Sequence, residues 1–168
     1  RCMLEIFAWS LAALLGLVWL GIVAFGPPYV PTLASDIEVA LKKLKIGARD
    51  HVVDLGSGDG KILLACAKRG ARASGVELNP FLVWVARFRT RLLAERVDVQ
   101  LGDMWRYELP EDTSHVFVFF ADRFMPKLKQ YVAHQRQTGR KFRLVSYGFM
   151  LPSEVPTDKV GAFNIYDF

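Results

Sequence analysis

The residues with the clearest chemical potential lie in His51-Val52-Val53-Asp54-Leu55-Gly56-Ser57-Gly58-Asp59-Gly60, where a β-branched run meets an acid and then three glycines at alternate positions. Glycine tolerates φ > 0 and lets a ligand approach the backbone with no Cβ in the way. Two further acids stand in similar settings: Glu77, nineteen residues after Gly58, closes Gly75-Val76-Glu77, and Asp103 closes Leu101-Gly102-Asp103. A dinucleotide fingerprint reads G-x-G-x-x-G, with phosphates at the helix start. Here the spacing is G-x-G-x-G, and Asp59 sits where a pyrophosphate would arrive. A carboxylate at that point repels phosphate. An acid ending the second strand suits free ribose hydroxyls, and an acid after the third suits an exocyclic amine such as that of adenine. Adenosine without phosphates, with a charged amino-acid tail near the glycine turn, describes S-adenosylmethionine.

The elements that must position these residues alternate along the chain. Apolar positions 37, 40, 41 and 44 share one face of a helix starting near Ser35 or Asp36. Strands are expected at 51–55, 71–77, 97–101, 115–121 and 142–147, with helices over 59–69, from Asn79-Pro80 onward, and over 125–137. Asn79 reads as the cap of its helix and Pro80 as its first residue. The tail, 155–168, has room for a short hairpin. Repeated β-α units with apolar strands imply an α/β fold, a Rossmann-like doubly wound and mostly parallel sheet with helices on both faces and the ligand beyond the carboxyl ends of the strands.

Composition bounds the rest. The 168 residues make one domain of ordinary size, and the 52% hydrophobic content is concentrated near the N-terminus. Ile6 to Gly26 holds twenty-one residues without a charge, enough at about 1.5 Å per residue to cross a bilayer. The expectation is a transmembrane anchor over 1–27, a connector and leading helix over 28–50, and the main domain over 51–168. Lys42, Lys43, Lys45 and Arg49 after the run favour a single-pass membrane protein with its domain on the cytoplasmic side. Pro27-Pro28-Tyr29-Val30-Pro31-Thr32 reads as a stiff linker or as a segment held over the site. The net charge of +5 suits attraction to anionic lipid as well as it suits nucleic acid. Two cysteines and three scattered histidines offer no metal-ligand spacing, and Cys66 reads as a core residue. The chain begins at Arg1, as a fragment or a processed protein would.

Over about Asp50 to Tyr147 the chain resembles the class I, seven-strand S-adenosylmethionine-dependent methyltransferases, on the strength of the three acids at three strand ends. A narrower resemblance rests on Pro-Tyr-Val-Pro-Thr, Val-Asp-Leu-Gly-Ser-Gly-Asp-Gly, Glu77-Leu78-Asn79-Pro80-Phe81-Leu82-Val83-Trp84 and Asp103-Met104-Trp105. These runs are similar to the membrane-anchored protein-lysine methyltransferases, which include mitochondrial enzymes acting on the ATP synthase c-subunit and the adenine nucleotide translocase, and short prokaryotic relatives. The resemblance implies that Asp54, Gly56, Ser57, Gly58 and Gly60 hold the amino-acid end of the cofactor. It implies that Glu77, with Leu78 and Asn79, holds the ribose, and Asp103 with Met104 the adenine. Phe119 belongs to the cofactor set, and Pro31 and Thr32 would fold over the site. It further implies a protein substrate with an accessible lysine, membrane proteins among the choices, and a mitochondrial inner membrane location in a eukaryote.

Methyl transfer asks the protein to place a neutral amine in line with the methyl and to exclude water. Phe119, Phe120, Asp122 and Tyr147 mark where a lysine channel should open, and Asp122, Tyr147 and Thr32 are the catalytic candidates. Asp122 either attracts the ammonium and relays its proton or caps the next helix; family members are more often apolar or proline there. Trp84 reads as core packing rather than a substrate contact. Enzymes that methylate base amines or glutamine amides carry Asn/Asp-Pro-Pro-aromatic at this strand end. Here the chain reads Phe120-Ala121-Asp122-Arg123-Phe124, so no specific nucleic acid is expected. Arg87, Arg89, Arg91 and Arg96 read as a solvated or lipid-facing side. The alternatives are methylation of a small molecule or lipid headgroup, and a scaffold without turnover.

Overall fold

The computed structural model describes residues 2–25 and 34–168, and the chain divides into two compact units, Arg1–Val30 and Pro31–Phe168. The first unit contains helix α1, Cys2–Phe25. Among the described residues no helix is long and apolar enough to cross a membrane. The expected single-pass location, with its cytoplasmic-side domain or mitochondrial inner membrane, is corrected accordingly.

The second unit begins with α2, Ala34–Lys43, whose residues Ile37, Ala40 and Leu41 are buried at the spacing that the sequence marks. Strands β1 (His51–Leu55), β2 (Arg72–Glu77), β3 (Val97–Leu101), β4 (His115–Val118) and β5 (Arg143–Tyr147) run parallel to one another. Helices α3 (Lys61–Lys68), α4 (Pro80–Thr90) and α5 (Met125–Gln137) run between them. The tail forms a hairpin of β6 (Asp158–Val160) and β7 (Phe163–Asp167), and β7 pairs antiparallel with β5. The sheet order is β3-β2-β1-β4-β5-β7-β6.

Alternate strand residues feed two cores, as a sheet covered on both faces requires. Val52, Ala73, Val99, Phe117 and Val145 pack with Ile37, Leu41, Leu63, Cys66 and Ala86 from the helices α2, α3 and α4. Val53, Leu55, Val76, Val116 and Leu144 pack with Met125, Leu128 and Val132 of α5 on the other face. The sheet order reverses between β1 and β4, and a crevice beyond their carboxyl ends is where such folds place a ligand. Strand β4 ends at Val118 rather than at Ala121, so Phe119 and Phe120 leave the ladder at the rim of that crevice.

Candidate active site

Asp54 is the deepest acid. Parallel pairing sets it between Gly75 of β2 and Phe117 of β4, and its side chain is buried. Burial raises its carboxyl from the ordinary range to about 8, with Glu77 and then Asp59 adding repulsion. The chain turns sharply after it. Gly56, Gly58 and Gly60 all have positive φ, at 80°, 52° and 77°. At Gly56 a side chain would meet the Met104 sulfur and the Phe120 ring at 3.7 Å, while at Gly60 it would lie 2.9 Å from Ala86 of α4. Gly60 thus serves the close approach of two helices, and Gly56 serves the floor of the crevice.

Glu77 is fixed by the turn it faces. Its Oε2 accepts from the Gly58 N–H at 3.0 Å and its Oε1 from the Asn79 N–H at 2.8 Å. Each carboxylate oxygen has further lone pairs, so two neighbouring hydroxyls can still donate to it. Leu78 follows, exposed at the rim, and Asn79 caps α4 by accepting from the Phe81 and Leu82 N–H groups at 2.9 and 3.4 Å. Asp103 accepts from the Trp105 N–H at 3.0 Å, which holds a 3₁₀ turn over Met104–Arg106. Its second oxygen is 3.9 Å from the Arg106 guanidinium.

Ser57 lies between the first two glycines of the turn. Its Oγ is buried, has no partner among the described residues, and lies toward Gly75, where an added Cβ would meet it at 2.6 Å. The Gly56 and Ser57 N–H groups both donate to the Val76 carbonyl, at 2.9 and 3.1 Å. The turn therefore offers carbonyl oxygens and buried carboxylates rather than N–H groups. That set of acceptors is suited to an ammonium and poorly suited to a phosphate. Asp59 is not a lone repelling charge, for Arg89 approaches it at 3.0 Å and Lys61 at 3.6 Å. Asp54 and the spent N–H groups, rather than Asp59, are what disfavour a phosphate.

On the facing side of the crevice Phe119 meets Tyr147 edge-on, with centroids 5.0 Å apart. The Tyr147 hydroxyl donates to Asp36 of α2 at 2.9 Å, which keeps its proton in place above the usual phenol range. Sequence reasoning missed Asp36, because 111 residues separate the pair and no local signal joins them. Phe120, expected at the mouth of a lysine channel, is buried under the glycine turn beside Trp105 at 5.3 Å. Asp122 lies exposed in the 3₁₀ turn Asp122–Phe124, and that turn's cap is Ala121, with no side-chain cap bond. Asp122 therefore does not cap the next helix. Pro31 and Thr32 lie outside the described residues. Among the described residues no group of acids, histidines and cysteines could hold a metal ion.

The residues brought together match what an adenosyl amino acid presents: carboxylates for an ammonium, hydroxyl acceptors, and an acid beside an apolar floor. A family model described as the ANTKMT methyltransferase domain matches residues 54–158. The chain belongs to this family. It is 34% identical over 131 residues to the ATP synthase c-subunit lysine N-methyltransferase of Xenopus laevis, covering 77% of this chain and 56% of that protein. It is 36% identical over 149 residues to the adenine nucleotide translocase lysine N-methyltransferase of Mus musculus, covering 83% of this chain and 63% of that one. The match thus spans little more than half the length of these relatives. Among solved structures, the crystal structure of an RNA methyltransferase from Salinibacter ruber with S-adenosyl-L-homocysteine has a TM-score of 0.72 and 26% identity. That similarity covers 83% of this chain and 92% of that one. The seven-stranded sheet is accordingly a class I methyltransferase fold.

Proposed function

We propose that this chain is an S-adenosylmethionine-dependent protein-lysine N-methyltransferase. The observation that carries the reading is the buried Asp54 beneath a three-glycine turn, with Glu77 and Asp103 at the next two strand ends, in a chain of the ANTKMT methyltransferase family. When bound, S-adenosylmethionine supplies a methyl group already activated by its sulfonium. Asp54 and the turn carbonyls hold the ammonium of its amino-acid tail, Glu77 accepts from the ribose hydroxyls, and Asp103 accepts from the adenine amine. An ammonium beside Asp54 offsets the burial and the like charges that raise its pKa, because an opposite charge favours the ionised form.

The acceptor must arrive as a neutral amine, against a reference lysine pKa near 10.4. Phe119 and Phe120 desolvate it, which lowers the cost of losing the proton. The Tyr147 oxygen, with its own proton committed to Asp36, presents a lone pair that aims an amine N–H along the wall. Asp122, exposed outside the aromatic wall, attracts the ammonium before it enters and receives the proton it sheds.

Incubation with methyl-labelled S-adenosylmethionine and a protein extract should place label on lysine, read by mass spectrometry after proteolysis. Label confined to RNA, to lipid or to small molecules would overturn the lysine reading. A folded protein that fails to bind the cofactor by calorimetry would overturn the enzyme reading altogether.

A further inference from the structure

Helix α4 and the 3₁₀ turn that follows it, Arg91–Leu93, expose large side chains that the fold does not use. Phe81, Trp84, Phe88 and Leu92 are 66%, 63%, 56% and 87% exposed. Val83, Ala86 and Thr90 face the core instead, so the helix has one buried side and one apolar outer side. The rings stack in a row, Phe81 to Trp84 at 6.2 Å and Trp84 to Phe88 at 5.9 Å, and the Arg91 guanidinium lies 4.0 Å over Phe88. Eleven residues separate the ends of this stripe, which makes it about 16 Å long. Four such side chains left half or more in water are a contiguous patch of roughly 500 Å², of a size that on a monomer is often functional.

We infer that this stripe is the docking surface for the protein substrate, and that its occupant is an amphipathic helical segment with acidic flanks. The inference rests on the lysine methyltransferase reading and extends it to substrate choice. Phe81, Trp84 and Phe88 lie at i, i+3 and i+7 of α4 and Leu92 follows in the 3₁₀ turn, so a partner helix lays its own i, i+4, i+7 and i+11 side chains along the row. The flank is basic at Arg91, whose guanidinium lies over Phe88, while Arg87 turns toward the sheet and donates to the Val99 carbonyl at 2.7 Å. A lone stripe of this size falls short of the ~800 Å² per partner of a stable complex. That suits a substrate that must leave after each methyl transfer better than a second copy of this chain. The stripe is also continuous with the site, since Phe81 follows Asn79 and Glu77 by two and four residues.

The test uses a synthetic helical peptide of about 20 residues with leucines at i, i+4, i+7 and i+11, glutamates beside them and a single lysine beyond one end. Its control is a scrambled peptide of the same composition. Calorimetry in the presence of S-adenosyl-L-homocysteine should show the designed peptide binding at least tenfold tighter than the scrambled one. Trp84→Ser with Phe88→Ser should remove that preference while leaving cofactor affinity unchanged, and Arg91→Glu should weaken the acidic peptide alone. In turnover the double variant should raise KM for the designed peptide about tenfold, with kcat held and with an unstructured short lysine peptide unaffected. Equal peptide affinity for the double variant would overturn the docking inference. So would a wild-type protein that sediments as a dimer and a double variant that does not, since a second copy would then own the stripe. Peptide binding that depends on the stripe with no lysine methylated would uphold the docking and defeat the proposed reaction.

Discussion

The two ends of the parallel sheet use the same kinds of residue to opposite effect. At the amino end, His51 sits between Asp112 and Ser74, with Nδ1 and Nε2 each 2.8 Å from an oxygen, and Arg72 pairs with Asp112. His115 lies 3.6 Å from Asp50. Asp112 and Asp50 there each have a cation or a histidine within reach, and the one buried atom of the two histidines without a partner among the described residues is His115 Nε2. At the carboxyl end Asp54 has neighbours of its own sign, and it is the acid whose proton is held to about 8. A polar cluster that is satisfied internally stabilises a fold; one left electrostatically incomplete is asking for a ligand. The difference separates a structural network from a site more sharply than residue type does.

The contrast is most exposed to Asp54→Asn. This variant should weaken S-adenosylmethionine binding by 100-fold or more, read by calorimetry, while raising the ligand-free melting temperature at pH 8 by several degrees. Equal affinity would show that the carboxyl end is as self-sufficient as the amino end. Next in size is the pH dependence of binding. The folded, ligand-free protein keeps the Asp54 proton up to about pH 8, whereas the bound ammonium favours the carboxylate, so binding expels a proton. Affinity should therefore rise with pH, by up to about tenfold per unit below pH 8, and go flat in Asp54→Asn. For the same reason the ligand-free protein should lose Asp54's share of stability as pH climbs from about 4 toward 8.

The amino end should respond with the other sign. Burial, and then Arg72, lower the His51 pKa, and burial lowers that of His115. The unfolded chain takes up these protons near pH 6.5 while the folded one resists, so stability should fall as pH drops below about 6.5. Thermal melts from pH 7.5 to 5.5 should lose a few degrees, and His51→Gln should shrink that loss without touching cofactor affinity. The smallest effect is expected at the hinge between site and helix. Asn79→Ala removes the cap of α4 and should cost about 1 kcal/mol of stability in urea unfolding, with a change in cofactor affinity under threefold.

The fold was legible in the sequence because its signals are local. Val52-Val53 before the glycines, Asn79-Pro80 before α4, and the tail hairpin each follow from near neighbours. The three strand-end acids were legible for the same reason, since strand ends can be counted. What failed depended on the environment that distant elements create. Trp84 reads as core because apolar residues usually are, yet the core side of α4 is filled by Val83, Ala86 and Thr90. Arg87, Arg89 and Arg96 read as a solvated or lipid-facing side; Arg87 and Arg96 are exposed, and beyond that reading all three bond to the fold, at the Val99 carbonyl, Asp59 and the Gly70 carbonyl. The Asp36–Tyr147 bond joins the two ends of the sequence, and spacing rules do not reach that far. The apolar run near the N-terminus shows the converse error, a composition signal taken as a whole span.

The antiparallel strand β7 lies between β5 and β6, so the sheet's outermost strand on that side is the three-residue β6, with Asp158 and Lys159 exposed along it. Lys43 of α2 reaches across to Asp158 at 3.0 Å, and the Phe142 and Phe168 backbones exchange two 3.0 Å hydrogen bonds at the far end of β7. A border this short and this charged gives an approaching foreign strand little to pair with. Stripped of the hairpin, β5 would present Leu144-Val145-Ser146-Tyr147 as an open, apolar template. The hairpin therefore acts as a guard against self-templated aggregation, and damage confined to the last dozen residues would be felt first as lost solubility.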